Sequence, residues 1–214
     1  MATSSSPHHS PYADPALNRI YNMLFCDDLR VFAPQPGRDP APWQSILFAR
    51  QVQPDAVRAL ANDQQQDPRV RCMAFNWLRQ QGQQVPAREL LGTVLEVPME
   101  GGLDVMAVYI DGSVRYLNHC AAPTIVEGPM PLLQQNVSRL LQASQEIVNR
   151  IGPSDQVRQP APATNVRLNF LVSDGLYFGE GPMNVLSRDA MAGPLLQAGG
   201  QLLGQLVEMA HAPA

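Results

Sequence analysis

Apolar residues along this chain change their spacing twice, dividing it into a helical part, a strand-rich part and a mixed final part. Between Asp14 and Gly82 they recur three and four residues apart, the interval that builds one face of a helix. Leu17, Ile20, Tyr21 and Leu24 form such a face behind Asp14, a capping residue, and Pro15, which suits a first helical position. The APQPGRDPAP segment ending at Pro42 reads as a loop, followed by a short helix around Trp43 to Ala49. QPDAVRALANDQQQDPRVRCMAFNWLRQQG then reads as two helices, one opened by Pro54 and one by Asp67 and Pro68. The second carries Val70, Met73, Ala74 and Trp77 on one stripe and stops at Gly82.

From Leu90 the alternation shifts to a period of two. LLGTVLEV, LDVMAVYI and SVRYLNH follow one another with turn residues between, then a short TIVEG. A long helix is expected from about Pro131 to Ile151, with Leu133, Val137, Leu140, Leu141, Ser144, Ile147, Val148 and Ile151 on one face and Gly152-Pro153 at its end. A Pro-rich loop leads to NVRLNFLVS and LYFGE. The chain closes on a helix from Pro194 carrying Leu195, Leu202, Leu206 and Val207 against a stripe of Gln197, Gln201 and Gln205.

This order predicts an α+β fold: N-terminal helices followed by a mostly antiparallel five- or six-stranded sheet covered by two long helices. Residues 1–13, rich in Ser, Pro and His, are expected to form a disordered tail in which His8 and His9 have no special role. Residues 14–214 then form a single domain, with a helical part over 14–84 and a sheet-plus-helix part over 88–210.

PRVRCMAFNWLRQQG resembles one unit of a HEAT-type helical repeat in its Asp, Val-Arg and Ala positions. The likeness spans about thirty residues, and one unit cannot stack into a solenoid. It implies a helical hairpin that packs on something else, with no function attached. TIVEGPMPLL and YFGEGPMNVL share EGPM, which is expected of two similar strand-to-helix junctions rather than of a duplication. GEGPMN also lacks the third glycine of the dinucleotide fingerprint.

VYIDGSVRYLNHC is the segment richest in candidate chemistry, because it sets His119 beside Cys120 at the end of a strand. A two-residue turn at Asp111-Gly112 would make Tyr109 face Val114, Ala107 face Tyr116 and Asp104 face His119. Neighbouring side chains on a strand point to opposite faces, so His119 and Cys120 are not expected to act as base and nucleophile. If PMEGG closes a five-residue loop, Glu96 faces Asp104, and Glu96, Asp104 and His119 form one row that could bind a divalent metal or orient a general base. The same row can equally be a polar sheet end with a structural Asp104–His119 pair. A Gly101-Gly102 turn, also permissible, would move Glu96 elsewhere. Asp27-Asp28 reads as solvated polarity near a helix end, and Glu180 as an exposed residue in a glycine-flanked loop beyond a second turn at Asp174-Gly175.

Composition narrows the chemistry further. All fifteen basic residues are arginine, as a GC-rich bacterial genome would favour, and the absence of lysine removes Schiff-base, pyridoxal-phosphate and Walker-type phosphate-loop chemistry. A net charge of −4 argues against nucleic-acid binding. Arg69, Arg71 and Arg79 diverge around one helix and read as a solvated surface. Cys26, Cys72 and Cys120 are widely spaced and read as reduced, mostly buried thiols. The N-terminal residues form neither a secretory signal nor a membrane anchor, so a cytoplasmic location is expected.

These features favour a non-enzymatic cytoplasmic protein-interaction module with no cofactor or metal, whose docking surface would be the N-terminal helical hairpin and the Gln-rich helix faces. Two alternatives stand beside it. One is a small metal-dependent hydrolase using Glu96, Asp104 and His119; the other is a small-molecule sensor domain built on the sheet.

Overall fold

A computed structural model of the chain describes residues 8–120 and 123–211. Five helices open on a proline at the first turn, where the missing N–H costs nothing: α1 (Pro15–Leu24), α2 (Pro42–Leu47), α3 (Pro54–Asn62), α4 (Pro68–Gln80) and α5 (Pro131–Val148). Asp14 and Asp67 cap α1 and α4 by accepting from Ala16 N and Arg69 N at 2.7 and 2.8 Å. A short α6 (Met183–Leu186) precedes the long α7 (Ala192–His211). Six strands, β1 (Leu90–Met99), β2 (Gly102–Tyr109), β3 (Val114–Leu117), β4 (Pro123–Val126), β5 (Val166–Val172) and β6 (Gly175–Gly181), pair in the order β4-β3-β2-β1-β5-β6. Every pairing is antiparallel.

Helices cover both faces of this sheet. On one face α5 and α7 lay down Leu133, Val137, Leu140, Leu195, Ala198 and Leu202 against Leu95, Met106, Val108, Val114, Leu168 and Phe170. On the other, α1, α3 and α4 bring Tyr21, Leu24, Val57 and Met73 onto Leu91, Val94, Val105, Ala107 and Tyr109. Alternation along each strand divides its residues between two cores. The α3–α4 hairpin that resembles a repeat unit uses its apolar side to close one of them.

Several expectations are corrected. Of the proposed tail, residues 1–7 lie outside the described residues, but residues 8–13 are held against the fold: Tyr12 is buried and donates to Leu103 O at 3.0 Å. The β2–β3 hairpin pairs Val108 with Val114 and Met106 with Tyr116, one residue away from the expected register. Tyr109 N donates to Ser113 O at 3.0 Å, leaving Ile110, Asp111 and Gly112 as a three-residue loop. Only Gly112 has a positive φ there, +84°, as in a type I turn closed by a glycine bulge; a primed two-residue turn would need Asp111 there too. The second hairpin also turns one residue earlier than expected. Val172 pairs with Gly175 across Ser173-Asp174. Gly175 starts β6, and a Cβ there would come 2.9 Å from that of Pro153.

Helix α5 ends at Val148, capped by Asn149, three residues short of Ile151. The two EGPM segments do sit at strand-to-helix junctions, β4–α5 and β6–α6, but their backbones differ: Gly128 has φ +71° and Gly181 is not in that region. Arg71, expected on a solvated surface, is 1% exposed and donates to Ala61 O at 2.9 Å, with Glu89 as its ion-pair partner. Arg69 reaches Asp67 at 2.5 Å and lies over the Tyr109 ring. Cys26 and Cys72 are free and buried; Cys120 is free and exposed. No helix among the described residues is long and apolar enough to cross a membrane.

Candidate functional site

Strand register decides the fate of the expected acid row. Asp104 and His119 do meet: the His119 backbone N and ring Nδ1 lie 2.7 and 2.8 Å from Asp104 Oδ1, and Tyr116 donates to Asp104 Oδ2 at 2.8 Å. His119 reaches Asp104 from a turn beyond the end of β3, not as its directly opposed residue. Burial, with the Asp104 carboxylate next, pushes the Tyr116 phenol above its ordinary range. Glu96 does not join them. The β1–β2 connection is a two-residue turn at Glu100-Gly101, which pairs Val97 with Asp104 and Glu96 with Val105. Glu96 therefore points to the opposite face of the sheet. Among the described residues, no group of three His, Cys, Asp or Glu side chains could hold a metal ion.

On its own face Glu96 anchors a buried polar network. It is 1% exposed and accepts from Tyr21 Oη at 2.6 Å and Asn169 Nδ2 at 2.9 Å. Burial, then the carboxylate, pushes the Tyr21 phenol well up. Arg167, two residues before Asn169 on β5 and paired in register with Glu96 on β1 and Glu180 on β6, reaches Glu96 at 3.8 Å and Glu180 at 2.7 Å. Burial alone would raise the Glu180 pKa, but hydrogen bonds from Arg167 and Asn165 outweigh it and hold the carboxyl below its usual value. Glu180 is thus exposed, but it lies within β6 rather than in a loop, and it is engaged.

The network continues through Arg158, whose side chain is 2% exposed. Its Nε donates to Asp27 Oδ2 at 2.7 Å and its Nη2 to Asn22 Oδ1 at 2.8 Å, while the guanidinium sits 4.2 Å from the Phe25 ring centre. Arg158 Nη1 is buried and finds no hydrogen-bond partner among the described residues. His9 fastens the same loop, its Nε2 2.9 Å from Arg158 O and its backbone exchanging hydrogen bonds with Asn22. Asp27-Asp28 is correspondingly not solvated polarity. Asp27 holds Arg158, and Asp28, 5% exposed, caps the 3-10 turn Leu29–Phe32 while pairing with Arg30 and His8. Burial would raise the Asp28 pKa, but the Arg30 hydrogen bonds reverse the effect and lower it.

Beside this network lies a cavity of about 370 Å³, walled by Phe25, Asn76, Arg79, Arg158, Asp174 and Leu176. Its outer wall is the segment from Pro153 to Arg158, tied to the β6 edge where Ser154 N donates to Leu176 O at 2.8 Å. Arg79 lines it with its Nη2 on Asn76 Oδ1 and its Nη1 3.4 Å from Ser173 O; among the described residues it makes no ion pair with a carboxylate. Burial lowers the Arg79 pKa, outweighing the opposing influence of Cys72 and of the Asp174 carboxylate. A second space of about 10 Å³, bordered by Arg158, Arg167, Asn169 and Phe178, has room for about one water molecule.

Sequence reasoning missed this site because its parts lie far apart: a helix arginine, a Pro-rich loop and a hairpin. The one local signal was arginine inside segments that are otherwise apolar or Pro-rich. No family model, no curated protein and no solved structure matches the chain.

Proposed function

We propose that the chain is a non-enzymatic binding domain and that its principal site is the cavity between α4 and the Pro153 to Arg158 segment, sized for a small molecule. The observation that carries this reading is the 370 Å³ cavity itself, concave, partly apolar and lined by convergent polar groups. The groups an acid–base enzyme would need support it from the other side: Glu96 is consumed by Tyr21 and Asn169, with Asp104 and His119 across the sheet. Among the alternatives drawn from sequence, the small-molecule sensor is therefore the better fit.

A protein partner remains a second reading, favoured by one feature. Gln142, Gln197 and Gln201 line an open groove of about 360 Å³ between α5 and α7, bounded by Arg139 and Glu146. This is the Gln-rich helix face singled out from sequence.

Protein-observed NMR with a mixed panel of charged and neutral fragments tests the two. Fragments should shift the amides of Asn76, Gly175 and Leu176, and Gln80→Trp, at an exposed cavity-lining position, should abolish those shifts without altering the remaining spectrum. Shifts confined to the α5–α7 groove, or none at all at the cavity, would overturn the proposal.

A further inference from the structure

The geometry points to a small organic monocarboxylate with an apolar body as the occupant of this cavity, its carboxylate held by Arg79 with the Arg158 guanidinium beside it; the inference rests on the cavity being a ligand site. The fully buried arginines outside the cavity each have a carboxylate: Arg71 has Glu89, Arg115 has Glu127, and Arg167 has Glu180; Arg79 is half-buried on the cavity wall. Arg79 has only an amide oxygen and a backbone carbonyl. A half-buried guanidinium without a carboxylate partner keeps donors for an anion, and its planar fork matches a carboxylate in bidentate geometry. Arg158 adds a second guanidinium on the same wall with one nitrogen unused. Arg79 thus keeps hydrogen-bonding capacity that the protein does not fill, and Arg158 adds a second positive charge beside it.

The acidic groups set the charge of the occupant. Asp27, Asp155 and Asp174 also line the cavity. Asp27 is taken up by Arg158, and Asp174 accepts from Tyr177 Oη at 3.1 Å, but their charges still oppose a dianion such as phosphate. A single negative charge beside Arg79 is the better match. Phe25, Val157, Leu171 and Leu176 supply an apolar wall for the remainder of the molecule.

Benzoate, benzyl alcohol and inorganic phosphate, titrated separately and followed by NMR shifts and calorimetry, test this. Benzoate should saturate and bind at least about tenfold tighter than benzyl alcohol, the increment of one charge-assisted hydrogen-bonded contact. Arg79→Gln should remove that preference, bringing benzoate down to the affinity of benzyl alcohol, while its NMR spectrum reports a folded protein. Equal binding of benzoate and benzyl alcohol would overturn the carboxylate assignment and leave the cavity as a neutral-ligand site. Tighter binding of phosphate would overturn it in favour of a different anion class. No binding by any of the three, together with a silent fragment panel, would remove the binding site altogether.

Discussion

The two faces of the sheet are built from alternate residues of the same strands, yet they differ in kind. Against α5 and α7 the contacts are almost wholly aliphatic and aromatic; the buried polar exceptions are Thr93, whose hydroxyl donates to Ser144 Oγ at 2.8 Å with Ser144 donating on to Leu140 O, and Asn136, which donates to Gln205 Oε1 at 3.0 Å. Against the N-terminal helices the core carries Glu96, Arg115, Arg167, Asn169, Asn22, Arg71 and Arg158, all buried. The first face gains stability from non-directional burial, about 1.5–3 kcal/mol per large side chain. The second relies on groups that are favourable only while every partner is in place. It is also where the cavity opens. A face held by directional contacts can present unfilled donors to a ligand; a face of interdigitated leucines has none to offer.

Substitutions on the two faces should separate these modes, and the largest loss is expected at Glu96. Glu96→Ala leaves Tyr21 Oη and Asn169 Nδ2 without their acceptor and should cost about 3–5 kcal/mol by denaturant unfolding, with disturbance of the cavity. Leu140→Ala, fully buried on the other face, should cost about 2–5 kcal/mol and leave fragment binding intact. If both variants lose binding equally, the faces are not independent.

Register is what assigns each residue to its face, and Gly112→Val tests it. The substitution forces a β-branched residue to φ +84° and sets its Cβ 3.0 Å from Pro129 Cα, so a loss of about 1–3 kcal/mol is expected. An unchanged denaturant midpoint would show that the Ile110-Asp111-Gly112 loop is not the turn described.

The Thr93–Ser144 pair offers a smaller and sharper contrast. Ser144→Ala alone strands the Thr93 hydroxyl in an apolar core and should cost about 1–3 kcal/mol, whereas Thr93→Val with Ser144→Ala should be close to neutral. Additive losses in the double variant would mean that the hydroxyls stabilise this face in their own right.

The smallest effect expected is that of pH on the polar face. Burial, assisted by the Arg158 guanidinium, outweighs the nearby Asp27 and Glu96 carboxylates and the hydrogen bond to Arg158 O, and holds the His9 pKa below 6.5. A histidine whose folded pKa is depressed binds fewer protons than in the unfolded chain. Its stabilising contribution is complete above the unfolded value and is lost as pH falls through the folded one. Acidification from about pH 7 to pH 5 should therefore lower the melting temperature by about 1–2 °C more than in His9→Gln, which keeps a donor for Arg158 O. Identical pH profiles would show that His9 does not link the N-terminal segment to the loop.

Much of the architecture was written locally. Proline at the first helical turn, aspartate caps and the leucine spacing of α5 and α7 announce helices, and period-two runs announce the strands, because each depends on neighbours within a few residues. The Asp104–His119 pair was also legible, although it forms through a turn rather than by direct opposition. What sequence left undecided was the exact closing of three hairpins. One residue in a loop moves every following side chain to the other face, which is how Glu96 left the expected row and became the anchor of a different network. The cavity lay further out of reach. Arg79, Arg158 and Asp174 come from three distant segments, and nothing in the spacing of an arginine tells whether the fold will hand it a carboxylate, a solvent shell or an empty wall. Local periodicity determined the elements; long-range register and the path of the Pro153 to Arg158 segment decided which polar groups met, because those meetings depend on contacts far apart in the chain.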